Sequence, residues 1–428
     1  MKPGLAYLVS RYPAISHTFI LREIVELRRL GFRIDAASIN SPDRPAEQLA
    51  EEEKPEAEHT WYVKAQGLTG AVSGLISTLL RHPAGFWKGL WFALRLGGTD
   101  LKRVALCFFY FVEAAMVGNW MESRGLRHLH VHFATPASTV GLIVTRIYPF
   151  TYSITVHGPD EFYDVPGFYL PQKIASARLL CTIGLYARSQ LMRLSPAADW
   201  AKMEITPLGV DPQLFSPRPF EPVFDVFEVL CVGRLVPAKG QRVLLQAIGK
   251  LVAGGRRVRL RLIGDGPDRT ALEAAAKEAG LGEAVIFEGS VNQDRIRAFY
   301  RGAHLFALAS FAEGIPVVLM EAMAMEIPCV TTWITGHPEL IRDGVDGLLV
   351  APSDDHGLAA AIARLMDDAS LRQRLGEAGR KRVIDKYNLT RNVAGLAQVF
   401  RKHLAPGENH LSYIESSEEK LATAGELR

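Results

Sequence analysis

A chain of 428 residues is too long for one ordinary core, so two domains are expected. Its composition, 48% hydrophobic and 22% charged, is ordinary for a globular protein and excludes wholesale disorder. A formal net charge of +3, with no basic stretch interleaved with aromatics, argues against nucleic acid as a partner.

The start, MKPGLAYLVSRYP, passes directly into a strand over 4–10 and lacks the charged-then-apolar order of a signal segment. No uninterrupted apolar run is long enough to span a bilayer. Cys107, Cys181, Cys231 and Cys329 are widely spaced in apolar runs, so they read as reduced core residues of a cytoplasmic protein and not as a disulfide framework or zinc site. A loop over 11–17 and an amphipathic helix over 18–30, ended by Gly31, lead to a second strand at 32–39. This is the opening βαβ of a nucleotide-binding-type domain. The absence of G-x-G-x-x-G argues against a dinucleotide cofactor and an NAD-dependent enzyme.

Residues 41–60 are polar and acid-rich, fit for a loop or short helix. The stretch 68–118 contains LISTLL, FWKGLWFALRL and VALCFFYFVEAAMVG, interrupted by Arg81, Lys88, Arg95, Lys102 and Arg103. Helical spacing puts Phe86, Trp87, Leu90, Trp91 and Leu94 on one broad apolar face. Such a helix either lies on a membrane surface or packs on the sheet. His128, His130 and His132 alternate in RHLHVHFATPAS and share one face of a strand. They could pass for a metal cluster, but no carboxylate or cysteine lies nearby to complete it, so no metal is assigned. A strand over 152–156 then delivers His157-Gly158-Pro159-Asp160 at its carboxyl end, and another follows by residue 183. Prolines mark the linker 216–222.

The second domain opens at Val226 with VLCVGR, which delivers Arg234, and a helix from Gln241 follows Lys239. The strand at 258–263 ends in the tight turn Gly264-Asp265-Gly266-Pro267, and a strand at 284–288 precedes Gly289-Ser290-Val291-Asn292. HLFALAS, at 304–310, is a short apolar run of the buried-parallel-strand kind. Gly314 and Pro316 punctuate the next turn; Pro316 suits a first helical position, with a helix over 317–325 and a strand resuming at 327–331. The loop therefore lies at a strand's carboxyl end beside the free amides of a helix start, where open α/β sheets bind ligands and favour an anion. Glu313 sits in that loop and Glu321 on the helix, eight residues later. Flanked by VVLM and AMAM, Glu321 has little reason to face water, and a carboxylate there can accept hydrogen bonds from paired sugar hydroxyls. Helices at 354–367, 371–387 and 388–403 follow; 405–428 is polar, lacks a core face and reads as a mobile tail.

The run Glu313-Gly314-Ile315-Pro316 with Glu321, followed by Gly336-His337-Pro338-Glu339-Leu340-Ile341 and Asp346-Gly347-Leu348-Leu349-Val350, resembles the C-terminal domain of retaining glycosyltransferases of the GT-B fold, family 4 (glycosyl transferases group 1). Glu313 and Glu321 match that family's E-x7-E motif, and Gly233 to Gly240 resembles its basic donor-phosphate segment. Tyr12-Pro13-Ala14-Ile15-Ser16-His17-Thr18-Phe19 is similar to a pattern of its exopolysaccharide (colanic-acid-type) branch, with His17 where an acid is frequent. Ser16 there reads as an acceptor contact or a helix cap. His157-Gly158 with Asp160 matches a Thr-x-His-Gly-x-Asp segment whose histidine lies close to the transferred sugar, and the first domain's HVHF resembles segments at the crevice edge. Thr206 to Asp211 resembles the interdomain segment, with Leu208 in place of the usual asparagine.

The resemblance implies an α/β chain of GT-B fold: two Rossmann-like domains facing across a cleft, 1–216 for the acceptor and 217–387 for a nucleotide-sugar, with 388–404 crossing back to the first. The implied reaction is hexose transfer with retention from a nucleotide-sugar, UDP-sugar before GDP-sugar, in exopolysaccharide or lipopolysaccharide biosynthesis, on a saccharide acceptor expected to be lipid-linked. Catalysis falls to His157, Glu313, Arg234 and Lys239; the donor to Arg234, Lys239, Val291, Glu313, Gly314, Ile315, Pro316, Val317, Val318 and Glu321; the acceptor to Ser16, His132 and His157. The two cations and the helix start can neutralise a leaving diphosphate, so no cofactor and no metal is expected. The chain is expected in the cytoplasm, with a peripheral contact on the inner face of the membrane through 68–118. The competing class is a non-catalytic sugar- or lipid-binding subunit on the same scaffold, which has no need of the full residue set.

Overall fold

The computed structural model describes residues 4–220 and 225–404. The expected tail at 405–428 and the last residues of the expected linker lie outside the described residues. The chain forms two compact units, 4–206 with 393–404, and 207–392.

In the first unit, strands β1 (Gly4–Arg11), β2 (Arg33–Asn40), β3 (Trp61–Tyr62), β4 (His128–His132), β5 (Thr151–Val156), β6 (Leu179–Thr182) and β7 (Met203–Ile205) form one parallel sheet. Their order is β3-β2-β1-β4-β5-β6-β7. The helices are α1 (Thr18–Arg29), α2 (Lys54–His59), α3 (Gly67–Arg81), α4 (Pro83–Gly97), α5 (Leu101–Ser123), α6 (Pro136–Ile147), α7 (Leu170–Ser176) and α8 (Leu185–Arg193). Every residue of β4 and β5 is buried, as parallel strands covered on both faces must be. Leu129 and Val131 point into the main apolar core with α5 and α6. The alternate face of β4 carries the three histidines.

The second unit repeats the plan. Strands β8 (Phe227–Val232), β9 (Val258–Ile263), β10 (Val285–Gly289), β11 (Leu305–Leu308), β12 (Cys329–Thr332) and β13 (Leu348–Val350) are all parallel, in the order β10-β9-β8-β11-β12-β13. Helices α9 (Gln241–Ala253), α10 (Arg269–Glu278), α11 (Gln293–Gly302), α12 (Val317–Ala324), α13 (His337–Leu340), α14 (Asp355–Asp367) and α15 (Ala369–Lys386) flank it, and α16 (Leu389–Leu404) returns the chain to the first unit. Phe400 of α16 is buried there, 5.0 Å from His130 between ring centroids. In both sheets strand order reverses at one point, between β1 and β4 and between β8 and β11. Open α/β sheets bind ligands outside the carboxyl ends of such strands.

Three expectations are corrected. The unit boundary falls after Thr206 and not at 216. Val210 hydrogen-bonds with Tyr387 and Leu389 through its backbone, and Arg380 donates to the carbonyls of Pro212 and Phe215, which ties 207–216 to the second unit. Pro316 is the cap and Val317 the first residue of α12. Thirdly, the broad face expected on α4 is split. Gly89, Ala93 and Gly97 are its buried residues, Phe86 and Leu90 pack at the core edge, and Trp87 and Trp91 are 61% and 65% exposed. A Cβ on Gly85 would meet the Ile147 carbonyl at 2.0 Å and one on Gly97 the Val104 backbone at 2.5 Å, so small residues set the docking and turn the tryptophans outward.

Among the described residues one helix, α5, is long and apolar enough to cross a membrane by length and composition, although Glu113 interrupts its apolar run. Half of its most apolar window is buried in the unit, as a core helix requires, with Phe111 and Val117 wholly inside. Its outer side exposes Leu101, Leu106, Phe108 and Phe109, and α3 exposes Leu68, Val72, Ile76 and Leu80.

Candidate functional site

The residues singled out from sequence fall beside the two reversal points, except Val291, which follows the edge strand β10, and each unit builds its own cluster. In the second unit, β8 leads directly into Gly233 and Arg234, and one short turn brings in Lys239 and Gly240. Gly240 has φ +60°, and a Cβ there would lie 2.0 Å from the Ala309 carbonyl, so only glycine lets this loop close on the end of β11. The amide of Phe311 then donates to Ala238 at 2.8 Å. This contact brings the Lys239 ammonium onto Glu313 Oε1 as an ion pair, and Ser310 Oγ donates to the same oxygen at 3.1 Å. Arg234 is exposed, while its carbonyl accepts from Gln241.

Thr335 Oγ1 donates to the Glu313 carbonyl, and Gly336 approaches Gly314 so closely that a Cβ would sit 2.4 Å from its oxygen. Gly314, Ile315 and Pro316 are thereby held as a lead into α12, whose first amides, Val317 and Val318, have no carbonyl partner within the helix. Glu321 is 2% exposed and does face inward; Tyr300 Oη on α11 donates to its Oε2 at 2.9 Å. Burial first, then the Glu321 charge, pushes the Tyr300 phenol well above its ordinary range, which keeps it a donor. Val291 is half-buried before Asn292, which caps α11. Tyr300 was missed from sequence, because one aromatic on a charged amphipathic helix carries no distinguishing signal.

In the first unit, β4 and β5 end side by side at His132 and His157. His132 Nδ1 lies 3.0 Å from His157 Nε2, and His132 Nε2 lies 3.2 Å from Glu23 Oε1 on α1. Tyr7 Oη on β1 donates to that same carboxylate oxygen at 2.9 Å. The carboxylate thought absent from the histidine strand therefore arrives from α1, far away in sequence. Ligand atoms of Glu23, His130 and His132 lie within 4.8 Å of one another. Their ring nitrogens are nevertheless taken up in hydrogen bonds: His130 Nδ1 with Ser153 Oγ at 2.7 Å, His130 Nε2 with Thr155 Oγ1 at 3.0 Å, and His132 with Glu23 and His157. Burial, then the neighbouring histidines, holds His130 and His157 well below the usual imidazole range, so both are neutral near pH 7.

The loops carrying these histidines are stapled by Glu161, 2% exposed. Its Oε1 accepts from the Ala134 amide, and its Oε2 from the amides of His157 at 2.5 Å and Gly158 at 2.8 Å. Burial pushes this carboxyl up to about 7, against the pull of those amides and of Lys173. Lys173, itself buried, donates to the carbonyls of Ala134 and Thr135 at 3.0 and 2.9 Å. Phe133 has φ +70° and lays its ring 4.4 Å from that of His157. Ser16 is exposed at the mouth of the β1 loop; the cap position of α1 is His17, so the cap reading of Ser16 does not hold. Glu161 could have been found from Gly158-Pro159-Asp160-Glu161, an acid three residues into a turn; Glu23 could not.

Residues 220–382 match the family model described as Glycosyl transferases group 1. WcaL of Escherichia coli (strain K12), named for colanic acid biosynthesis as a glycosyltransferase, is 27% identical over 85% of this chain and 90% of its own length. The lipopolysaccharide core biosynthesis glycosyltransferase LpsE of Rhizobium meliloti is 34% identical over 38% of this chain and 46% of its own. Among solved structures, Anabaena Alr3699/HepE in complex with UDP superposes with a TM-score of 0.69 at 16% identity, covering 94% of this chain and all of that one. The fold class is thus GT-B, two Rossmann-like parallel-sheet domains, and the matches support a glycosyltransferase of exopolysaccharide or lipopolysaccharide biosynthesis.

Proposed function

We propose that this chain transfers a hexose from a nucleotide-sugar to a saccharide acceptor with retention at the anomeric carbon, the acceptor being lipid-linked. The observation that carries the reading is the convergence of Arg234, Lys239, Glu313 and the start of α12 at the reversal point of the second sheet. Arginine grips two phosphate oxygens, lysine adds a point charge, and the helix start adds partial positive charge, so a departing diphosphate is neutralised without a metal ion. Glu313 holds Lys239 until the phosphate arrives, which explains an acid beside an anion site. Glu321, oriented by Tyr300, receives the ribose hydroxyls, Val291 borders the base, and Gly314 to Pro316 present the α12 amides.

The first unit takes the acceptor, with Ser16, His132 and His157 at its reversal point. A UDP-sugar is the leading donor, consistent with the UDP complex of HepE, and a GDP-sugar is next. The outward apolar surface of α3, α4 and α5, with Arg81, Lys88, Arg95, Lys102 and Arg103 among its residues, supports peripheral attachment of a cytoplasmic enzyme to an anionic membrane face. The test is incubation with a panel of UDP- and GDP-hexoses and isolated lipid-linked saccharides, followed by mass spectrometry. A product heavier by one hexose supports the reading. Nucleotide-sugar binding without any product would make the chain a sugar-binding subunit.

A further inference from the structure

Glu23, His132 and His157 form a single chain of hydrogen bonds whose direction follows from its ends. Glu23 carries the only acid in it, and its Oε1 already accepts from Tyr7, so His132 must present Nε2–H to that oxygen. When His132 carries one proton, on Nε2, its Nδ1 is the acceptor, and His157 presents Nε2–H to it at 3.0 Å. That leaves His157 with an unprotonated Nδ1. This atom has no partner among the described residues, on a side chain only 7% exposed. An unpaired buried acceptor is a standing cost in a fold that satisfies the neighbouring His130 at both nitrogens.

Resting on the acceptor reading of the first unit, we propose that Glu23 and His132 are positioning residues that hold His157 in its Nε2–H tautomer and leave Nδ1 as the acceptor for a ligand hydroxyl. The backbone of His157 is fixed separately by Glu161, and Phe19 and Phe133 flank its ring at 5.0 and 4.4 Å, so the tautomer is what remains for the chain to set. His17 is the other ionisable group acting on His157, and among the described residues no acid acts on its ring directly. The same atoms could instead gather a metal ion, at the expense of the hydrogen bonds just described.

The experiment is nitrogen NMR of the full chain labelled at histidine, with His157 assigned by His157→Gln, beside turnover of UDP-glucose and GDP-mannose. In the wild type, His157 should show Nε2–H and a bare Nδ1. Glu23→Leu removes the terminal acceptor, so the His157 tautomers should mix and kcat should fall by about tenfold to a thousandfold, on the scale of losing one preorganised group, while the donor KM stays within about twofold. Glu23→Gln is the conservative rescue. Both donors meet one carboxylate oxygen, so the amide oxygen can receive them, and the Nε2–H tautomer should persist with kcat within about tenfold of wild type. A protonated Nδ1 on wild-type His157, an unchanged tautomer in Glu23→Leu, or a stoichiometric divalent metal found by elemental analysis would each overturn the proposal. Should Glu23→Leu fail to fold, the wild-type and Glu23→Gln spectra decide. If neither nucleotide-sugar is turned over, the spectra still test the relay, and the functional reading alone fails.

Discussion

Replacing Glu161 by glutamine should destabilise the first unit by about 2–4 kcal/mol at pH 7. The carboxylate serves three backbone amides with two oxygens, whereas glutamine has one oxygen and an NH2. In its best orientation the amide oxygen faces His157 and Gly158, and the NH2 confronts the Ala134 N–H. One buried donor is then unpaired, at about 1–3 kcal/mol. Lys173 loses its nearby carboxylate, and breaking a buried pair from one side costs about 3–5 kcal/mol. Against this, Lys173 keeps two carbonyl partners, and the desolvation that raises Glu161 to about 7 disappears, so the sum is held below the larger figure. Urea unfolding of the transition that reports the first unit measures it.

The pH dependence gives a second reading. Glu161 titrates near 7 in the folded chain against an ordinary 4.5, so between these values the folded state holds a proton that the unfolded state has released. Its contribution is therefore fully present below pH 4.5 and is lost as pH rises through 7, with a slope of at most about 1.4 kcal/mol per unit. His130 and His157, depressed by burial, work in the opposite sense but are common to both proteins and cancel in the difference. The penalty of Glu161→Gln should thus be larger at pH 5 than at pH 8. A loss at pH 7 below about 0.5 kcal/mol, the scale of an ordinary surface change, or a penalty that grows with pH, would refute the staple.

Glu321→Gln should weaken donor binding by about 1–3 kcal/mol in titration calorimetry, the scale of hydrogen bonds to a charged group. Because Tyr300 donates to that carboxylate, Tyr300→Phe should weaken it in the same direction; a fall in thermal stability with unchanged nucleotide affinity would make the pair structural. Lys239→Ala should lower turnover by about tenfold to a thousandfold, and turnover should survive excess EDTA. Complete loss in EDTA, restored by magnesium or manganese, would sink the cationic clamp. Trp87→Glu with Trp91→Glu should abolish sedimentation with anionic vesicles at low salt and leave the fold intact, since both rings point outward. Failure of the wild-type chain to sediment would remove the membrane role.

The second unit was legible because its chemistry is local. A strand leading into Gly233-Arg234 and another ending before Glu313 are each written in a short stretch, and parallel pairing of β8 with β11 then makes neighbours of Lys239 and Glu313. Glu321 was recognisable by a single charge among VVLM and AMAM. The first unit was less legible because its cluster joins residues from four elements. Alternation placed His128, His130 and His132 on one face, but nothing in α1 says that Glu23 turns inward, because TFILREIVELRR carries several charges of equal appearance. On α4 the hydrophobic residues suggested one broad face, whereas close helix packing selected the glycines and Ala93 for the interface. Periodicity weighs side chains by hydrophobicity; backbone contact weighs them by size.

The central claim is retaining hexosyl transfer, and the stereochemistry of the new bond tests it most directly. The product made by the full chain from an α-linked nucleotide-hexose should be analysed by NMR for the configuration of the anomeric carbon. The account predicts an α-linkage, formed by wild type and severely reduced in Lys239→Ala. A β-linked product, or release of free hexose with no acceptor glycosylated, would contradict it.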